Sequence, residues 1–335
     1  MTVRVAINGF GRIGRLVLRS IIENDRKDIE VAAINDLGPV ATNAHLLRFD
    51  SVHGRFPADV QVDGDKIVIN GKPILCTAIR DPKDLPHREL DIDIAMECTG
   101  IFADKEKASA HLEAGAKRVL VSAPATNADK TIVFGVNHDL LTKEDLVVSN
   151  ASCTTNCLSP VAKVLHDLVG IEKGMMTTIH SYTNDQPSLD QMHKDLYRGR
   201  AAAVSMIPTS TGAAKAVGLV LPELNGKLDG ISVRVPTPNV SVVDLKFVSK
   251  KKTTPEEINA AIKAAADGPM KGVLGYTDQP NVSIDFVHDP HSSIFHLDQT
   301  KVMDGNFCSI LTWYDNEWGF STRMADTALA MAKLI

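Results

Sequence analysis

Val3-Arg4-Val5-Ala6-Ile7-Asn8-Gly9-Phe10-Gly11-Arg12-Ile13-Gly14 decides how the first half of this chain folds. Val3 to Asn8 is an apolar run of strand length, and Leu16, Val17, Ile21 and Ile22 recur beyond it at helical spacing. The order is therefore strand, glycine turn, helix. Gly9, Gly11 and Gly14 fit G-x-G-x-x-G, where missing side chains permit a tight turn, close approach of a pyrophosphate and close helix packing. The helix N-terminus then presents N–H groups to phosphate oxygens. Such a turn alone is a weak signal. A second apolar run, Glu30-Val31-Ala32-Ala33-Ile34, strengthens it by ending at Asn35-Asp36, where a carboxylate can bind a ribose hydroxyl pair. Without the glycines, Asp36 would read as a turn or cap residue; with them it reads as part of a dinucleotide site.

Strand and helix signals continue to alternate through the first half, as a parallel, doubly wound Rossmann-type sheet requires. A hairpin interrupts them, with Lys66-Ile67-Val68-Ile69 and Pro73-Ile74-Leu75 flanking Asn70-Gly71. The runs Asp91 to Met96 and Lys117 to Val121 end in small polar residues. Ligands in such sheets lie beyond the carboxyl ends of the strands, so Thr99, Gly100 and Ser122 are expected to line the cofactor. Lys105 to Ala114 reads as a helix closed by Gly115.

At 335 residues the chain has length for two domains, and 44% apolar and 23% charged residues describe an ordinary globular protein. A net charge of -5 offers no electrostatic case for nucleic acid or an anionic membrane as main partner. Five scattered cysteines (Cys76, Cys98, Cys153, Cys157, Cys308) do not resemble a disulfide framework. A reducing compartment follows. The first residues lack the layout of a signal peptide and no apolar run reaches transmembrane length, which together predict a cytoplasmic protein. Cys153 and Cys157 have loose metal spacing, but no second Cys or His pair follows, so no metal is expected.

The candidate nucleophile is Cys153, within Ser149-Asn150-Ala151-Ser152-Cys153-Thr154-Thr155-Asn156-Cys157. A short strand precedes it, and Leu158, Val161, Ala162, Leu165 and Leu168 follow at helical spacing, although Pro160 should kink that helix. A cysteine in the first turn sits where the macrodipole and unpaired N–H groups favour a thiolate. A free cysteine is more often a packing residue, but so many hydroxyls and amides make poor core material. His180, at the end of the strand Met175 to Ile179, is the natural base. A long irregular segment with Arg198 and Arg200 follows, then a hydroxyl-rich turn, Thr209-Ser210-Thr211-Gly212, that opens a helix and could hold an anion. Arg234 stands in an apolar strand. The strands Ser232 to Val235, Ser241 to Val248, Val282 to Phe286 and Phe307 to Tyr314, with a helix opened by the capping box Thr254-Pro255-Glu256-Glu257, predict an α+β second domain with a mostly antiparallel or mixed sheet. The boundaries expected are 1–150 for the dinucleotide-binding domain, completed by a C-terminal helix at 317–335, and 151–316 for the catalytic domain.

With the glycine turn, the Cys153 stretch, the His180 segment, Ser210 to Lys215 and Trp313-Tyr314-Asp315-Asn316-Glu317-Trp318-Gly319 all quoted, the chain resembles phosphorylating glyceraldehyde-3-phosphate dehydrogenases of the bacterial type, essentially end to end. The resemblance implies oxidation of D-glyceraldehyde 3-phosphate to 1,3-bisphosphoglycerate with NAD and inorganic phosphate, through a thiohemiacetal and a thioester on Cys153 with His180 as base. It implies a substrate phosphate site at Thr183, Arg198 and Arg234, with Arg200 competing for the place of Arg198, and an attacking-phosphate site at Ser152, Thr154, Thr211 and Gly212. It places Gly9, Phe10, Gly11, Arg12, Ile13 and Gly14 at the cofactor, Asp36 on its adenosine ribose, Arg80 and Ser122 nearby and Asn316 on the nicotinamide amide. It also implies a homotetramer, with residues 181 to 204 at an interface. Cys98 stands where many members carry Ser and could add an oxidisable thiol. Met192 stands where many NAD-strict members have Pro. The sibling reading, an erythrose-4-phosphate dehydrogenase, shares the cysteine stretch and glycine turn but departs around His180 to Thr183 and Ser210 to Gly212.

Overall fold

A computed structural model describes residues 2–335 and divides the chain into two units, 1–152 with 321–335, and 153–320. In the first unit, β1 (Val3–Asn8), α1 (Arg12–Glu23), β2 (Ile29–Asn35) and α2 (Val40–Arg48) follow in sequence. A two-residue pair, β3 (Phe49–Asp50) and β4 (Gly54–Arg55), precedes the meander β5 (Val60–Asp63), β6 (Lys66–Ile69) and β7 (Lys72–Thr77). Then come β8 (Ile94–Glu97), α3 (Lys105–Ala108), α4 (Ala110–Glu113), β9 (Arg118–Val121), β10 (Lys130–Thr131) and β11 (Val147–Ser149). Nine of these strands form one sheet in the order β10-β11-β9-β8-β1-β2-β7-β6-β5. All neighbours are parallel except the meander pairs β5/β6 and β6/β7. β2 lies on one side of β1 and β8 on the other, so the strand order reverses at β1. A crevice opens beyond the carboxyl ends at such a reversal. The hairpin forms as expected because Asn70 (φ 48°) and Gly71 (φ 80°) both take the left-handed conformation that a two-residue turn requires.

The second unit starts with α5 (Cys153–Val169) and β12 (Ile171–Ser181), followed by β13 (Ile207–Ser210), α6 (Ala213–Val220), β14 (Leu228–Val235), β15 (Ser241–Ser249) and α7 (Pro255–Asp267). It ends with β16 (Leu274–Thr277), β17 (Ser293–His296), β18 (Lys301–Met303) and β19 (Phe307–Tyr314). Its sheet runs β13-β14-β12-β15-β19-β17-β16, with β18 also on β19, and is mixed, since β12/β14 and β16/β17 are parallel. Alternation places Met176, Thr178 and His180 of β12 inward, and α5 packs against β12, β15, β17 and β19. The last helix, α8 (Trp318–Ala332), carries the chain back into the first unit from Ser321.

Two local expectations are corrected. Lys105 to Ala114 is two single turns joined at Ser109 rather than one helix, and the Ser109 N–H and hydroxyl both donate to the Lys105 carbonyl, at 2.9 and 2.7 Å. Val282 to Phe286 is not a strand. Ser283–Phe286 forms a 3-10 turn, with the Val282 N–H donating to Asp285 at 2.7 Å. Pro160 lies buried inside α5, which runs from Cys153 to Val169.

Candidate active site

The glycine turn is built for something that the chain itself does not supply. Gly9 takes φ +90°, and a Cβ there would meet the Thr99 backbone at 2.7 Å; a Cβ on Gly14 would meet the Gly9 carbonyl at 2.1 Å. Both glycines are needed for the fold. At Gly11, φ is -71° and no atom lies within 4 Å of where a Cβ would stand. No local demand explains a glycine at position 11, whereas a pyrophosphate lying over the turn does. Gly11→Val is therefore expected to leave the melting temperature within about 2 °C, as exposed substitutions do. Titration with NAD should show binding weakened by at least about tenfold through lost phosphate contacts.

Buried polar groups hold this turn from below. Asp36 accepts the Phe10 N–H and the Gly38 N–H, each at 2.9 Å, and Gly9 donates to the Asn35 carbonyl at 2.8 Å. Asn35 donates to the Asn8 side chain at 2.7 Å, and Asn8 donates to Glu97 at 2.6 Å. Glu97 also fixes Thr99 through its backbone N–H, at 2.7 Å, and through its hydroxyl, so the ends of β1 and β8 share one carboxylate. Behind it, His111 contacts Glu97 at 3.0 Å and His87 at 2.9 Å. Burial holds His87 down at about 4, so its ring is neutral. Arg12, in the first turn of α1, pairs with Asp50. Burial alone would raise that carboxyl, but Arg12 and the N–H groups of His53 and Val52 bring it down to about 2. Ile13 and Ser122 are half-buried, while Gly100 and Arg80 are exposed. Burial, then Glu97, pushes the Cys98 thiol up to about 12.

In the second unit, Cys153 is the first residue of α5. Two residues earlier Ala151 takes φ +57°, a left-handed conformation costly for a residue with a Cβ. The Ala151 N–H donates to the Ser149 hydroxyl at 3.1 Å, and that hydroxyl donates to the Ala123 carbonyl at 2.8 Å. The sulfur lies 3.5 Å from His180 Nε2. His180 is opposite Arg234 in the parallel register of β12 and β14, which puts ring and guanidinium on one face. His180 Nδ1 lies 2.6 Å from the Ser181 carbonyl and 2.8 Å from Arg234 Nη1, which also donates to that carbonyl at 3.1 Å. The tautomer that donates Nδ1–H to the carbonyl leaves Nε2 as an acceptor facing the sulfur. Burial, then the Arg234 charge, holds His180 near 3, so it is a neutral base over the physiological range.

Burial opposes the pull toward a thiolate expected at the helix terminus and raises the Cys153 thiol, while Arg234 and the N–H groups at the helix start lower it. Tyr314, missed in the sequence, underlies the pair: its hydroxyl contacts Thr154 at 2.8 Å and Thr178 at 2.9 Å, and its ring meets His180 edge-on at 5.9 Å. The Thr154 side chain, expected at a phosphate, is thus turned into the core and 4% exposed.

Arg198 and Arg200 separate cleanly. Arg198 donates to Asp185 at 2.7 Å, and Asp185 accepts from Gln186 at 2.9 Å, whose carbonyl caps the Thr183 N–H at 3.0 Å. The Arg198 charge also bears on Arg234. Arg200 pairs with Asp190 and is two-thirds exposed. Thr211 accepts the Ala213 N–H at 3.1 Å, and Gly212, which opens α6, has nothing within 4 Å of a would-be Cβ. Among the described residues no group of three His, Cys, Asp or Glu is disposed to hold a metal, and no helix is long and apolar enough to cross a membrane.

A Rossmann-type nucleotide cradle with a separate unit carrying a Cys-His pair and paired arginines defines the class of nicotinamide-dependent enzymes that oxidise aldehydes through a covalent cysteine adduct. Comparison with known proteins narrows this. Residues 3–105 match the glyceraldehyde 3-phosphate dehydrogenase NAD binding domain, and 152–316 match the C-terminal domain of the same family. A glyceraldehyde-3-phosphate dehydrogenase of Xanthobacter flavus is 74% identical over 334 residues, all of both chains, and one of Cereibacter sphaeroides is 73% identical over 335, again all of both. A more distant relative from Geobacillus stearothermophilus is 57% identical over 99% of each chain. The chain belongs to the glyceraldehyde-3-phosphate dehydrogenase family.

Proposed function

We propose that this chain oxidises D-glyceraldehyde 3-phosphate to 1,3-bisphosphoglycerate with NAD and inorganic phosphate, with residues 1–150 and the helix at 317–335 holding the cofactor and 151–316 carrying the chemistry. The single observation that carries this reading is Cys153 Sγ at 3.5 Å from His180 Nε2, with Arg234 2.8 Å from the other ring nitrogen. Gly9, Phe10, Gly11, Arg12, Ile13, Gly14, Asp36, Thr99, Gly100 and Ser122 hold the dinucleotide, with Arg80 near it, and Asn316 holds the nicotinamide amide. The Asp36 carboxylate repels a phosphate at the ribose, which favours NAD over NADP. Bound NAD supplies the hydride acceptor.

Cys153 Sγ attacks the aldehyde carbon while His180 Nε2 takes the thiol proton and returns it to the oxygen, giving a neutral thiohemiacetal. Backbone N–H groups at the start of α5 steady the charge on oxygen as it develops. As the thiohemiacetal is oxidised, Nε2 takes the hydroxyl proton, leaving a thioester and an imidazolium. Inorganic phosphate, held by Ser152, Thr211, Gly212 and the backbone of Thr154, then attacks the thioester carbonyl. The sulfur leaves, recovers its proton from His180, and the phosphate proton goes to solvent. Thr183, Arg198 and Arg234 grip the phosphate carried by the substrate, which suits two guanidinium forks and a hydroxyl. Arg234→Leu should therefore lower kcat/KM for the triose phosphate relative to unphosphorylated glyceraldehyde by about 10- to 100-fold, the worth of a charged hydrogen bond. Equal losses on both aldehydes would place Arg234 elsewhere.

The second unit also exposes Met192, Leu196, Val204 and Met206, each three-quarters or more open to solvent. Apolar surface of that extent supports a subunit interface at this segment, and the reading proposed here is a homotetramer working in the cytoplasm. The overall reaction is tested by absorbance of reduced nicotinamide with the purified protein, NAD and the triose phosphate, with and without phosphate, then with erythrose 4-phosphate. Rapid phosphate-dependent turnover of the triose supports the reading; preference for the tetrose overturns it.

A further inference from the structure

Three strands that neighbour each other in the second sheet meet at one edge, where β12 ends at Ser181, β15 begins at Ser241 and β19 ends at Tyr314, two residues before Asn316. All three side chains are buried, with exposures of 0%, 1% and 5%. Both serine hydroxyls donate to one atom, Asn316 Oδ1, at 2.8 Å from Ser181 and 2.9 Å from Ser241. Ser241 Oγ also accepts the Ser181 backbone N–H at 3.1 Å. The backbone is fixed as firmly. Asp315 accepts from Asn239 and from the N–H groups of His288, Glu317 and Trp318, all within 2.9 Å.

Flipping the Asn316 amide would set Nδ2 against the two hydroxyls and leave them only each other at 3.5 Å, so that at least one buried O–H would lose its acceptor. The serines therefore set the amide one way round. Among the described residues, Nδ2 has no hydrogen-bond partner. Nδ2 is the end of this buried amide that keeps access to solvent, a fixed donor available to a carbonyl oxygen.

Resting on the reading that Asn316 faces the nicotinamide amide, we infer that Ser181 and Ser241 are positioning residues for the cofactor: they lock the Asn316 amide so that Nδ2 donates to the carboxamide oxygen of nicotinamide. Neither serine touches the cofactor. Their effect passes through the orientation of one amide.

The test is calorimetric titration of the purified full-length protein with NAD and, separately, with ADP-ribose, which lacks the nicotinamide ring. Ser181→Ala with Ser241→Ala should weaken NAD binding about tenfold, as expected when a buried hydrogen bond loses its fixed donor, and leave ADP-ribose binding unchanged. Asn316→Ala should show the same loss, and adding both serine changes to it should cost nothing more. Ser181→Cys with Ser241→Cys, which keeps the shape but supplies poor donors, repeats the series if the alanine protein melts early. Loss in Asn316→Ala with none in either serine pair would overturn the inference. NAD binding unchanged in Asn316→Ala itself would remove the reading beneath it.

Discussion

Replacing Cys153 by Ser should abolish turnover, lowering kcat by at least about 10⁴-fold, the scale on which removal of a covalent nucleophile costs an enzyme. A hydroxyl in the same place is a far weaker nucleophile, and an alkoxide is a poorer leaving group than a thiolate when phosphate attacks the ester. Nothing about the cradle depends on the sulfur, so NAD should bind the variant with unchanged affinity. Among the five cysteines, chemistry is expected of Cys153 alone. Burial pushes Cys98 and Cys157 up to about 12 and Cys76 to about 11, while Cys153 has Arg234 and the start of α5 working against its burial. Activity retained in Cys153→Ser would show that another group carries the acyl chain.

His180→Asn should lower kcat by about 10²- to 10⁴-fold, the usual worth of a positioned general base, with a smaller effect on NAD affinity. The pH dependence follows from the same environment. His180 sits near 3 where an ordinary imidazole sits at 6.5, so it stays unprotonated as pH falls from 8 to 5 and adds no ionisation there. The Cys153 thiol is displaced upward. Alkylation of the free enzyme by iodoacetamide should therefore rise with pH through a single ionisation, that of the thiol, on the alkaline side. A second limb between pH 5 and 7 would mean a thiolate–imidazolium pair at rest. Because imidazole lost its proton in both the folded and unfolded chain above 6.5, the buried ring costs no stability there. Below 6.5 the unfolded chain takes up a proton that the folded one refuses, and stability falls as pH drops toward 3.

Much of this was legible because local pattern and fold agree. Val3 to Gly14 announced strand, turn and helix through apolar spacing and glycines alone, and Asn70-Gly71 announced its hairpin through two residues that tolerate positive φ. Cys153 was legible as the residue out of keeping with its neighbours, and His180 by its place at a strand end. What stayed hidden depends on register across strands far apart in sequence. Arg234 could be seen as a charge in an apolar strand, but not that it faces His180. Tyr314 read as a strand residue, and Ser181 and Ser241 as unremarkable serines, until the neighbouring strands brought their hydroxyls onto Thr154, Thr178 and Asn316. Gln186 and Asp185, which form a hydrogen-bonded chain with Arg198 that Arg200 does not join, lie in a loop without periodicity. The upward push on the thiol stayed hidden for a general reason. Helix position is visible in sequence, whereas the burial that outweighs it is a property of the assembled unit.

The account rests on an acyl thioester at Cys153 that only phosphate releases efficiently. Mixing the protein with NAD and glyceraldehyde 3-phosphate in phosphate-free buffer, quenching with acid and weighing the peptide that contains Cys153 tests this directly. One acyl group on that cysteine and about one reduced cofactor per chain, both followed by steady turnover once phosphate is added, is the predicted result. An unmodified Cys153 peptide together with undiminished turnover in the absence of phosphate would contradict it.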